Sequence, residues 1–180
     1  MKKLAKFSIK RHMRLIVFSC VILSTLMLYL CGYRYSFSDS LPYRFYRIIP
    51  LYPDDNISLH DYVVVNADTI SHPTIQTAIE RKYIIMNRLL LKEIGAVSGD
   101  SIVISGDIVF INETETPLLI SHTDGQQRRL TPFPTPLILD KDSYWLISNP
   151  IGGFDSRYFG PVSRHSILYR AKPVRFGVSN

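Results

Sequence analysis

Three short segments hold the side chains that could do chemistry. Ser36-Phe-Ser38-Asp-Ser40-Leu-Pro42 offers hydroxyls just ahead of a proline. Leu91-Lys92-Glu-Ile-Gly-Ala-Val-Ser-Gly-Asp100 sets one lysine in an apolar run. Phe154-Asp155-Ser156-Arg157-Tyr-Phe-Gly-Pro-Val162 brings an acid, a hydroxyl and a base together. Hydroxyls attack carbonyls only when a base takes the proton, and a lysine can be that base only where burial keeps it neutral. Taken singly, each segment has an ordinary reading. These are a Ser-x-Pro turn, a lysine stem lying along apolar surface, and an ion pair at a turn.

Other chemistry is thinly represented. His12, His60, His72, His122 and His165 are scattered and form no metal-ligand spacing, so no metal and no cofactor is expected. Cys20 and Cys31 both fall in one apolar stretch. Eleven residues of helix would hold them about 16 Å apart, too far for a disulfide. The rest of the chain has no cysteine, which excludes a thiol enzyme, a zinc ribbon and a disulfide scaffold there.

The elements that must position these residues begin with that apolar stretch. Leu15 to Tyr33 contains no charge and lies between Arg14 and Arg34. As a helix it would be roughly 28 Å long, close to the thickness of a bilayer's hydrocarbon core. The run exceeds the ~7–15 residues of a cleaved signal peptide, and no Ala-x-Ala follows it. An uncleaved signal anchor is expected. Six of the 21 Lys and Arg residues lie in the first fourteen positions, and no acid precedes Asp39. Positive flanks stay in the cytoplasm. The expected division is therefore a cytoplasmic basic tip (1–14), a transmembrane anchor (15–33) and a periplasmic body (34–180), in a bacterial inner membrane. Past the tip, basic and acidic residues balance at 15 each, so the body carries no general attraction for nucleic acid.

The body, of a length suited to one domain, reads as mainly β with one short helix. Strands are expected over Tyr43–Ile49, Asp61–Ala67, Leu118–His122, Tyr144–Ser148 and Ser166–Val174, and a hairpin over Asp100–Ile111. Arg34–Asp39 reads as a polar juncture and Ser71–Tyr83 as the helix. Arg88–Val97 fits a helix or a strand equally well by period. Asp124–Pro136, with its prolines and glycine, reads as a loop.

In this order, with an anchor in front, the three segments resemble the signal peptidase I family of membrane-anchored Ser–Lys peptidases. Within it they are most similar to the TraF-type conjugative-transfer peptidases. The likeness runs over residues 36–175, and about 113–140 carries no family motif. It implies a signal-peptidase-like β domain behind a single N-terminal transmembrane helix. Ser40 would be the nucleophile and Lys92 the general base, with Leu89, Leu90, Leu91 and Ile94 as apolar neighbours of the lysine. The Ser40 backbone N–H and the Ser38 hydroxyl would form the oxyanion hole. Asp155, Ser156 and Arg157 would support the site. Some positions differ. Arg44 stands where TraF-type members often have glycine. Glu93 follows the lysine where housekeeping enzymes have arginine, and Ser148-Asn-Pro-Ile replaces their Gly-Asp-Asn-Arg run. Gly153 stands where they carry a serine that helps orient the lysine.

The implied reaction is hydrolysis, or transfer, of a peptide acyl group after small residues. Tyr33 to Ser40 reaches at most roughly 25 Å, which keeps the nucleophile near the outer membrane face. The expected partners are a precursor protein, a conjugative pilin foremost, together with inner-membrane lipid and components of a mating-pair or type IV secretion machine. Two alternatives stay open: a general signal peptidase I acting on secreted preproteins, and a non-enzymatic anchored assembly protein.

Overall fold

The computed structural model describes residues 2–37, 40–84 and 88–175, with the backbone alone for residues 2–11. The apolar stretch forms the C-terminal part of one long helix, α1 (Lys2–Leu30). Its span His12–Leu30 is apolar and long enough to cross a membrane, and none of that surface is buried against the body. This suits a single-pass membrane anchor. The helix ends three residues earlier than the expected Tyr33. Gly32 takes φ +88°, a left-handed conformation that closes helices. Arg34 then donates to the Tyr29 carbonyl at 2.6 Å and lies 3.7 Å from the Tyr29 ring centre. A cation at a helix C-terminus also suits its dipole.

What was expected as a polar juncture begins with a strand, β1 (Tyr33–Tyr35). It pairs antiparallel with β2 (Phe45–Pro50), Arg34 facing Tyr46. Next come β3 (Tyr62–Asn66) and the helix α2 (Pro73–Glu80), with Pro73 in the first turn and the His72 ring accepting from Thr74 N–H. The ambiguous segment is a strand, β4 (Leu89–Ala96). The hairpin forms as β5 (Ser101–Ser105) and β6 (Ile108–Ile111), followed by β7 (Thr114–Leu119) and β8 (Leu137–Ile138). β7 starts four residues and ends three residues earlier than expected. The Thr-Glu-Thr segment at its start pairs with β6, although it is polar. The chain closes with β9 (Ser143–Ile147), a single helical turn α3 (Ser156–Phe159), β10 (Val162–Ser163) and β11 (Ile167–Pro173). The body is mainly β, as expected, with α3 a second short helix that the sequence did not suggest.

Two sheets result. One has the order β1-β2-β11-β3-β4-β9-β10 and the other β7-β6-β5-β8. Val63, Val65, Leu90, Ile94 and Leu146 from the larger sheet pack against Ile75 and Ala78 of α2 and against Phe159. A second core joins Ala96 and Trp145 to the smaller sheet through Ile102, Val109 and Leu118. On the other face of β3, Val64 packs with Tyr46, Ala171 and Leu41. Each fully buried side chain of this kind contributes about 1.5–3 kcal/mol. Leu41, 7% exposed, thereby fixes the chain next to Ser40.

Candidate active site

Lys92 sits in the middle of β4, and the strand explains its burial. Side chains on a strand alternate between faces, so Lys92 shares a face with Leu90 and Ile94, both members of the main core. Across the ladder it pairs with Val63 of β3. Only 6% of Lys92 is exposed. Burial lowers its pKa from 10.5 to about 8, with Asp155 pulling upward and Arg157 downward to a smaller degree. Neutral amine is therefore accessible near physiological pH.

Ser40, in the turn before Leu41-Pro42, lies where two cavities meet. One, of about 510 Å³, is lined by Ser40, Lys92, Leu91, Gly153 and Phe154 among others. The other, of about 560 Å³, is lined by Ser40, Pro42, Gly95, Ile111, Leu118 and Ile147, and is largely apolar. Thus the serine and the lysine, 52 positions apart in the chain, line one cavity. Ser38, the other expected oxyanion donor, lies outside the described residues.

The late segment forms a buried brace beside the lysine. Asp155 caps α3 and accepts from the Arg157 N–H at 3.1 Å. Its Oδ1 also accepts from Arg157 Nε at 2.8 Å, and its Oδ2 from Arg157 Nη2 at 2.7 Å. Both side chains are fully buried. Arg157 donates in addition to the carbonyls of Leu119, Pro150, Asn149 and Gly153. One guanidinium therefore ties β7, the 149–153 loop and α3 together. A buried charge is tolerated when paired and fully hydrogen-bonded in this way. Burial alone would lower the Arg157 pKa, and the bonds to Asp155 more than reverse it. The Ser156 hydroxyl accepts from Leu146 N–H at 2.9 Å and pins the brace to β9.

Two features escaped the sequence reading. Ser148, directly after β9, is 6% exposed. Its N–H and its hydroxyl both donate to Asp155 Oδ2, at 2.9 and 2.7 Å. The other is a pair formed by His60 Nδ1 and Glu93 Oε1 at 2.8 Å, whose residues also line the larger cavity. His60 was read only as one of five scattered histidines. Its contact spans 33 positions, which no local spacing reveals.

A free sheet edge completes the site. β9 pairs with β4 only from Glu93 onward, Glu93 facing Ile147. At Ser148 the strand leaves the ladder for Asp155. Among the described residues, Leu89 to Lys92 pair with β3 on one side and with no strand on the other. Such an edge can accept an extended peptide as an added strand.

Comparison with known proteins then decides the family. The family model described as signal peptidase, peptidase S26, matches residues 8–175. The chain belongs to the signal peptidase S26 family. That makes it a protein of the serine-protease type that this family comprises. It is 31% identical over 85 residues to the conjugal transfer protein TraF of Agrobacterium fabrum, covering 47% of this chain and 48% of that one. The match therefore spans about half the length of that relative. It is 27% identical over 149 residues to a probable conjugal transfer protein TraF of Sinorhizobium fredii, covering 79% of this chain and 77% of that one. Among solved structures, a signal peptidase I from Enterococcus faecalis aligns at 16% identity and a TM-score of 0.37, over 63% of this chain and 94% of that one.

Proposed function

We propose that this S26 peptidase is a membrane-anchored serine endopeptidase that matures an exported precursor, foremost a conjugative pilin subunit, using Ser40 as nucleophile and neutral Lys92 as general base. The observation that carries this reading is a nearly buried lysine with a pKa of about 8 in the cavity that Ser40 also lines. A precursor strand would lie along the Leu89–Lys92 edge, with side chains entering the two cavities. Ser40 Oγ attacks the scissile carbonyl while its proton passes to Lys92 Nζ. The oxyanion is met by the Ser40 N–H and, by family likeness, the Ser38 hydroxyl. The lysine ammonium then returns the proton to the leaving amine, and an acyl-enzyme remains on Ser40. Water then frees the segment on the N-terminal side of the cut as a carboxylic acid. A free amine of the same substrate would instead close a new peptide bond, giving a head-to-tail ring. The similarity to two proteins named for conjugal transfer favours a conjugation precursor over a general preprotein, and the TraF-type resemblance points to a pilin. The basic tip would stay cytoplasmic and the body periplasmic, with the precursor and inner-membrane lipid as partners and mating-pair components as neighbours.

The test uses the full chain in detergent micelles with a membrane-inserted precursor, read as the cleaved product. Ser40→Ala, Lys92→Ala and Lys92→Arg should each lose at least about a thousandfold in rate, the last because arginine stays charged. Wild-type cleavage by both alanine variants would end the reading. His60 and Glu93, on the wall of the larger cavity, support a second reading in which His60 is the base. It predicts that His60→Ala, and not Lys92→Ala, is inactive.

A further inference from the structure

Lys92 needs more than neutrality. A lysine stem has four rotatable carbons, and an amine that wanders by about 1 Å can cost a hundredfold in rate. Some group must hold its nitrogen, and Asp155 is already taken. Its Oδ1 accepts from Arg157 N and Nε, and its Oδ2 accepts from Arg157 Nη2, Ser148 N and Ser148 Oγ.

We propose that Ser148 is the residue that positions Lys92, accepting a hydrogen bond from Nζ–H on its hydroxyl oxygen. This rests on the Ser40–Lys92 reading above. The register leads to it. Glu93 faces Ile147 and Ile94 faces Leu146, so the same register carried one step past the last pair would bring Lys92 opposite Ser148. Alternation puts both on the inward face that Ile94 and Leu146 occupy. Both are 6% exposed. The Ser148 proton is committed to Asp155 Oδ2 at 2.7 Å, which leaves the oxygen's lone pairs to face a donor. A neutral amine can give one N–H to this oxygen and turn its own lone pair to the serine.

The glycine at 153 fits the same account. A Cβ there would fall on Ser148 Oγ, and would stand 2.7 Å from both the Asn149 carbonyl oxygen and Arg157 Nη2. Only a residue without a side chain leaves the Ser148 hydroxyl its place.

The experiment measures kcat, KM and the pH profile of the full chain in detergent micelles, with an internally quenched peptide that has alanine before the scissile bond. Ser148→Ala should lower kcat about 10- to 100-fold with KM within about twofold. The acid limb of its profile should move to lower pH, because an oxygen that stabilises the ammonium is gone. Asp155 and Arg157, the charged groups whose fields reach Lys92, remain in place. Ser148→Thr keeps the hydroxyl and should return kcat to within a few-fold of wild type. A Ser148→Ala enzyme with wild-type kcat overturns the proposal. So does one whose kcat loss leaves the acid limb unmoved and follows a lowered melting temperature. Lys92→Ala is run alongside. If it too cleaves at the wild-type rate, the serine–lysine reading falls, and the role of Ser148 with it. If only Ser148→Ala does so, the reading of the reaction stands and the role of Ser148 alone falls.

Discussion

Replacing Lys92 by methionine keeps the length of the side chain and removes its charge. Lys92 lies on the core face of β4, 6% exposed, so at neutral pH the fold must bury an ammonium among Leu90, Ile94 and Val63. The size of that penalty follows from the displaced pKa. A drop from 10.5 to about 8, at about 1.4 kcal/mol for each pH unit, comes to about 3 kcal/mol. Lys92→Met should therefore be inactive and more stable than the wild type by about that amount at pH 7. The sign of the pH dependence is fixed. Below pH 8 the lysine is charged in both the folded and the unfolded chain, and the penalty is complete. Between 8 and 10.5 the unfolded chain holds a proton that the folded one has lost, so wild-type stability climbs as pH rises. Above 10.5 neither holds it. The advantage of methionine should be largest at or below pH 7 and shrink through that window. Urea unfolding in detergent micelles reads it, with fluorescence of Trp145, the one tryptophan and a fully buried member of the second core. Equal midpoints at pH 7, or a difference that stays constant to pH 10.5, would refute the claim that burial depresses this amine.

Arg157→Met should cost about 3–5 kcal/mol, the usual loss when one partner of a buried ion pair is removed, seen as a lower urea midpoint. Methionine cannot replace the bonds to the Leu119, Asn149, Pro150 and Gly153 carbonyls. A periplasm-active reporter fused after Asn180 should be active and the same reporter at the N-terminus silent, because a flank with six basic residues is expected to stay in the cytoplasm; the reverse pattern would put Ser40 on the wrong side for exported precursors.

The three chemical segments were legible because each is local: a hydroxyl before a proline, a lysine among leucines, and an Asp-Ser-Arg turn. The anchor was legible from its uninterrupted apolar run. Its end was not, since Cys31, Gly32 and Tyr33 carry no charge and prolong the apolar run, and Tyr33–Tyr35 becomes a strand only through Phe45–Arg47. β4 was ambiguous for a related reason. Leu90, Lys92, Ile94, Gly95 and Ala96 are all buried, so no polar alternation marks the strand, and pairing with β3 and β9 decides it. β7 was displaced because its polar start is an edge with little to bury. Ser148 was invisible for a deeper reason. Its neighbours are set by strand register and by the missing side chain at 153, and neither is a spacing along the chain.

One tension in the site resolves once the charges are considered together. A lysine whose pKa burial lowers is hard to reconcile with an aspartate close by, because a carboxylate favours the ammonium. Asp155 does pull the Lys92 pKa upward. Arg157 opposes that pull by lowering it, and the two are held as a closed pair at 2.7 Å with both side chains fully buried. With the two charges opposed, burial is the largest influence on the Lys92 pKa. The brace can thus supply a rigid wall and an acceptor for the Ser148 hydroxyl without raising the Lys92 pKa back to its ordinary value. Breaking it from the arginine side should show both consequences at once. Arg157→Met would leave Asp155 unopposed, so whatever activity survives should have its acid limb moved to higher pH, opposite to the shift expected for Ser148→Ala. An Arg157→Met limb at the wild-type position, in protein still folded by tryptophan fluorescence, would mean that the arginine does not offset the aspartate at the lysine.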